Sequence, residues 1–132
     1  MKSDLDRARA FYVRKKFSRV IRLLEPQVFQ FRESFDFYYL LGMSCLRSGD
    51  SGGAKTYLDR ALGLKPNEKR ALSGLAVVHL KRYEVTQAIQ CYLDIIDDDP
   101  HNRLAAKGLK LLRKNADRER LTPLIESGRT DS

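Results

Sequence analysis

Residues 35–68 read FDFYYLLGMSCLRSGDSGGAKTYLDRALGLKPNE, and residues 69–102 read KRALSGLAVVHLKRYEVTQAIQCYLDIIDDDPHN. Laid one over the other, Gly42, Ala54, Ala61 and Pro66 fall on Ala76, Ala88, Ile95 and Pro100. A step of 34 residues in the other direction lands on Ala8, Val20, Gln27 and Arg32. A fixed period of this length predicts stacked copies of one supersecondary unit rather than a closed globule. Such stacks expose long concave faces suited to holding other proteins.

Helical periodicity fills each unit. Ser3 to Arg14 opens with Ser3-x-x-Asp6, a capping-box pattern. A second helix is expected over Phe17 to Phe31, bent or ended early at Pro26, because proline lacks an amide donor and clashes with the preceding turn. A third covers Phe35 to Arg47, and Ser48 to Gly53 reads as a turn. The fourth, Gly53 to Gly63, stops before Pro66. Asn67 is the expected N-cap of a fifth helix running to Leu80. The sixth spans Val85 to Asp97 and the seventh Asn102 to Asn115, with a last short helix from Arg118 to Ser127 and a fraying tail after it. No segment alternates as a strand does. Consecutive helices joined by short turns form antiparallel pairs. Gly42, Ala54, Ala76 and Ala88 would let the two helices of a pair approach closely, while Tyr38, Leu58, Leu72 and Tyr92 would fill the space between pairs.

These residues carry a family resemblance. Tyr38-x-x-Leu41-Gly42-x-x-Cys45, followed by Ala54, Leu58, Ala61 and Pro66, resembles the tetratricopeptide repeat. Leu72-x-x-Leu75-Ala76-x-x-His79, followed by Ala88, Tyr92, Ile95 and Pro100, resembles it again. The first unit is degenerate: Ala8, Phe11, Phe17, Val20 and Leu24 match in size, but Arg7 and Arg32 replace the leucine and proline. The resemblance implies an all-α right-handed superhelix of antiparallel helix pairs. Its units would be 1–34, 35–68 and 69–102, with a capping helix or helices over 103–128 and a frayed tail at 129–132.

The resemblance also implies a site. In this family the first helix of each pair lines a concave groove, through the second, fifth, ninth and twelfth residue of each unit. Those are Lys2, Leu5, Arg9 and Tyr12, then Asp36, Tyr39, Met43 and Leu46, then Arg70, Ser73, Val77 and Leu80. The capping helix adds Leu104, Lys107, Leu111 and Lys114. Tyr39, Met43, Leu46, Val77 and Leu80 would form an apolar strip able to take a partner segment. The family's carboxylate clamp for heat-shock chaperone tails uses Lys, Asn, Asn, Lys and Arg. Here those positions hold Leu5, Arg9, Leu40, Arg70 and Gly74, which argues against a chaperone-tail cochaperone.

Charge marks a second surface. Net charge is +8, with nine basic and four acidic residues in 1–34 but four basic and five acidic in 69–102. Arg14-Lys15-Lys16, Arg47, Lys81-Arg82 and Arg113-Lys114 sit at turns that align along one edge of a regular stack. Solvated helix C-termini account for such cations. A ridge for an acidic protein surface is the alternative, and nucleic acid is disfavoured because Tyr83 is the one interleaved aromatic. The opposite edge carries Asp97-Asp98-Asp99, a solvated turn.

An enzyme is not expected. Cys45 falls at a core position, Cys91 on the surface of the partner helix, and the pair lacks metal-ligand spacing. His79 occupies the repeat position of Cys45 and reads as packed, and His101 stands alone. No nucleophilic set, metal cluster, cofactor motif or phosphate-cradling glycine loop is present. The chain shows no secretory leader and no apolar run of the roughly 20 residues that span a bilayer, so a cytoplasmic location with no membrane partner is expected. The sequence thus reads as a non-catalytic scaffold or adaptor that binds a protein or peptide segment. A small secretion-type chaperone and a nucleic-acid-binding protein are the alternatives. Phe11, Phe17, Phe29 and Phe31 of the degenerate unit would seat a second copy of the chain, as a homodimer, or another partner if nothing packs over them.

Overall fold

The computed structural model describes residues 3–126, with side-chain surroundings for residues 3–115. The helices are α1 (Asp4–Val13), α2 (Phe17–Leu24), α3 (Phe35–Arg47), α4 (Ser51–Leu64), α5 (Lys69–Lys81), α6 (Val85–Asp98) and α7 (Arg103–Glu126), with a 3-10 turn at Glu25–Gln27. They pack as the pairs α1/α2, α3/α4 and α5/α6, each against the next, and α7 packs on α6. The first helices of successive pairs also touch, α1 to α3 and α3 to α5, which lines them up on one face.

The helix boundaries carry the 34-residue period as clearly as the side chains do. Ser34, Glu68 and Asn102, one period apart, accept from backbone amides at the starts of α3, α5 and α7. Ser3 does the same for α1 through the Asp6 amide at 3.1 Å. Each intra-pair turn closes as a Schellman motif, in which two backbone amides return to the last carbonyls of the helix. Lys16 N donates to Phe11 O, Asp50 N to Cys45 O and Glu84 N to His79 O. The residue before each donor takes a left-handed backbone: Lys15 at φ 61°, Gly49 at φ 89° and Tyr83 at φ 60°. The next position in that series, 117, lies inside α7, so α7 runs on unbroken.

That continuity corrects the expectation of a separate helix from Arg118. Two other expected boundaries also move. Helix α4 begins at Ser51, inside the stretch read as a turn, because Asp50 accepts from the Gly53 amide at 2.9 Å and caps it. Glu68 rather than Asn67 caps α5, through the Arg70 amide. The tail from 129 lies outside the described residues.

Pro26 ends α2 early. Its counterparts in the later units, Arg60 and Asp94, lie inside α4 and α6. Here the regular helix stops at Leu24, and the chain continues as a 3-10 turn. The missing turn is filled from the next unit. Phe37 stands where later units have Ala71 and Ala105, and its ring stacks on Phe31 at 5.0 Å. Phe11 and Phe31 thereby pack against the core, and Phe17 meets Tyr12 edge-on at 5.3 Å. Phe29 alone of the four expected exposed phenylalanines is largely in solvent, at 78%.

Within and between pairs, bulky residues press on glycines. Leu58 lies against Gly42 and Gly74, and Tyr92 lies against Gly108 in the same relation one period on. Cβ atoms at 42, 74 and 108 would sit 2.9, 2.7 and 2.7 Å from their nearest neighbours, so each glycine sets how closely its helix is approached.

Candidate functional site

Helices α3, α5 and α7 leave an open groove of about 430 Å³ on the face where first helices align. Tyr39 and Met43 come from α3, Arg70, Ser73 and Val77 from α5, and Leu104 from α7. The i, i+4 spacing of Tyr39 and Met43 and the i, i+3, i+7 spacing of Arg70, Ser73 and Val77 put each set on one helical face. Gly74 lies beneath. A side chain there would run into the Met43 sulfur, so the glycine makes room for Met43 between the helices. Val77 and Leu104 remain exposed, at 36% and 60%, and supply apolar surface open to a ligand.

Cations rim this floor. The Arg70 guanidinium lies 5.1 Å over the Tyr39 ring and 5.6 Å over Phe35, and its Nε donates to Glu68 Oε1 at 3.2 Å. That bond holds the Glu68 carboxyl below its ordinary value. Lys69 Nζ donates to Asp99 Oδ2 at 3.2 Å. The Asn102 side chain first, and Lys69 second, keep the Asp99 carboxyl low. Burial, with Tyr12 adding to it, pushes the Tyr39 phenol up against the pull of Arg70. Tyr39 is therefore a neutral donor and a flat apolar wall, stacked on Phe35 at 5.8 Å.

Of the expected groove residues, Tyr39, Met43, Arg70, Ser73, Val77 and Leu104 meet in this cavity. Leu46 does not. It is 5% exposed and belongs to the core, because α3 has α1 on one side and α5 on the other. Leu80, at the equivalent position of α5, is half-buried and lies outside the cavity lining, as does exposed Lys107. Leu5 and Tyr12 pack against the core. Arg9 is exposed and bridges Asp6 at 3.0 Å and Asp36 at 3.1 Å. Lys2 lies outside the described residues. Arg47, expected on the basic edge, lines the groove, and the sequence reading did not include Lys69, Ile95 or Asn102. Lys69 and Asn102 flank inter-unit turns, and their signal was position: first and last residues of a unit, where adjacent first helices meet.

The edge cations divide. Lys15, Lys16 and Arg47 share a second cleft with Arg19, whereas Arg14, Lys81, Arg82, Arg113 and Lys114 are exposed but do not line it. His79 is buried, with Nδ1 3.0 Å from Glu84 Oε1, and this bond is the main cause of a lowered Glu84 carboxyl. Cys45 is buried as expected. Cys91 is buried too, beside Leu62, Leu72 and Leu75, which corrects its placement on the surface. Burial pushes both thiols up to about 11. Among the described residues no group of three or more His, Cys, Asp or Glu is placed to hold a metal ion, and no helix is long and apolar enough to cross a membrane.

Residues 46–112, from the end of α3 into α7, match the tetratricopeptide repeat family. The chain belongs to that family. Its fold is the right-handed superhelix of antiparallel helix pairs, and it is similar to several solved members. A crystal structure of MamA aligns with a TM-score of 0.83 at 22% identity, covering 86% of this chain and 67% of that one. The second tetratricopeptide domain of human RPAP3, in complex with the HSP70 peptide SGPTIEEVD, aligns at 0.78 and 17% identity, covering 84% and 92%. The first such domain of Spaghetti (RPAP3), bound to the HSP90 peptide SRMEEVD, aligns at 0.78 and 12%, covering 86% and 93%. At these identities the likeness is one of fold. No curated protein matches the chain.

Proposed function

We propose that this chain is a non-catalytic interaction module whose concave groove holds a segment of a partner protein. In this reading residues 1–34, 35–68 and 69–102 are its three units, and the helix that follows caps them. The observation that carries the proposal is the open floor of Met43, Val77 and Leu104 beside the rigid ring of Tyr39. Exposed apolar surface in a concave, cation-rimmed site is what a peptide with apolar side chains needs. The RPAP3 domains hold chaperone peptides, and a peptide ligand here is the corresponding inference. A chaperone tail is a poor fit. Leu40 and Gly74, at positions where the clamp has polar side chains, are buried and have none to offer.

The test is selection of binding peptides from a random library on the full chain, followed by amide chemical-shift mapping with the best one. Shifts should centre on Tyr39, Met43, Val77 and Leu104. Shifts centred on α4 and α6 instead would overturn the proposal.

A further inference from the structure

The second cleft, of about 470 Å³, is lined by Lys15, Lys16, Phe17, Ser18, Arg19, Arg47 and Ser48, with four cations and no carboxylate. None of those cations makes an ion pair among the described residues. The groove's other cations differ: Lys69 is held by Asp99 and Arg70 by Glu68. The later turns differ too. At the position of Lys16 they carry Asp50, which caps α4, and Glu84, which binds His79 and Arg82. The first turn thus gathers like charges where each of its repeats carries a carboxylate. Arg47 lines both the cleft and the concave groove, so the two concavities meet at that side chain.

We infer that the partner segment has two parts, an apolar stretch seated in the groove and an acidic stretch that passes over Arg47 into the Lys15–Lys16–Arg19 cleft. This rests on the groove reading for the first part, while the second stands on charge complementarity. Four unpaired guanidinium and ammonium groups around one concavity match several carboxylates on a flexible chain. Nucleic acid fits less well, because the cleft has a single aromatic, Phe17, half-buried against Tyr12, and base stacking along a strand uses several aromatic faces.

The probe is a fluorescein-labelled hexaglutamate peptide, which has no apolar side chain for the groove. It is titrated into the full chain at low salt, with binding read by anisotropy and location by amide shifts. Binding should move the amides of residues 15–19 and 47–48 and weaken steeply with salt. Lys16→Glu/Arg19→Glu should lower affinity at least about tenfold, while the equal charge change Lys110→Glu/Arg113→Glu costs less than about twofold. Tyr39→Ala should leave hexaglutamate binding unchanged, so loss of the groove reading and loss of the cleft are separate results. No binding, or equal loss in both charge variants, overturns the inference. Tighter binding of an octathymidylate at the same amides assigns the cleft to nucleic acid and overturns it as well. So does self-association in sedimentation that Lys16→Glu/Arg19→Glu abolishes, since the occupant would then be this chain's own Asp94, Asp97 and Asp98 surface.

Discussion

Gly108→Ala and Gly63→Ala should change stability in opposite directions. Both glycines lie in helices, where alanine is favoured by up to about 1 kcal/mol. At Gly63 a Cβ would meet nothing within 4 Å, so that gain is realised. It amounts to roughly 0.5–1 kcal/mol, trimmed by the closeness of the helix end. At Gly108 the Cβ would stand 2.7, 2.8 and 3.1 Å from Tyr92 Cζ, Cε2 and Cε1. Carbon atoms rest comfortably at about 3.5–4.0 Å, so a rigid ring must move by most of an ångström. Tyr92 is buried between α6 and its neighbours and has little room to move. Overpacking of this kind costs about 1–3 kcal/mol, which leaves a net loss of up to about 2 kcal/mol. Urea denaturation followed by circular dichroism reads both variants. Tyr92→Leu restores at 92 the residue that Leu58 provides one period earlier. In a double-mutant cycle it should remove most of the Gly108→Ala penalty. Gly108→Ala as stabilising as Gly63→Ala, or a penalty unaltered by Tyr92→Leu, would refute the idea that glycines such as Gly74 and Gly108 set the spacing between successive pairs.

Tyr83→Gly should stabilise the protein by about 1 kcal/mol in thermal melts, because glycine relieves the left-handed backbone that tyrosine holds there. Ser44→Ala should be neutral or stabilising by up to about 1 kcal/mol, since the Ser44 hydroxyl is fully buried with no hydrogen-bond partner. The carboxyls of Asp6, Glu68, Glu84 and Asp99 are all held below their ordinary values of 3.8 and 4.5 by hydrogen bonds and nearby cations. A lowered folded-state value gives stability that is complete above the ordinary carboxylate range and lost as pH falls through the folded-state values. Denaturation midpoints should therefore be flat near neutrality and fall below about pH 4.5, with Glu84→Gln flattening part of that decline.

The repeat was legible because it is written in packing residues. Gly42, Ala54 and Leu58 recur as Ala76, Ala88 and Tyr92, and burial of these positions leaves small choice of side chain. Pro26 announced the shortened α2 by its missing amide. What escaped depends on neighbours rather than on position. Leu46, Tyr12 and Leu80 share one place in the unit, but Leu46 alone is buried, on a helix packed against both α1 and α5. Asp50 could be read as a turn residue or a cap, and the amide of Gly53 decides between them. The cleft was half visible: Lys15, Lys16 and Arg47 were read as an edge, but Arg19 joins them only because α2 turns back beside the end of α3.

The central claim is that the hollow along α3, α5 and α7 does the work, and one affinity comparison tests it most directly. A library-selected peptide is titrated against Val77→Glu, in the groove, and Leu93→Glu, somewhat more exposed on α6. The account predicts a loss of at least about tenfold for Val77→Glu and less than about twofold for Leu93→Glu. Equal affinities for the two variants, or a greater loss with Leu93→Glu, would contradict it.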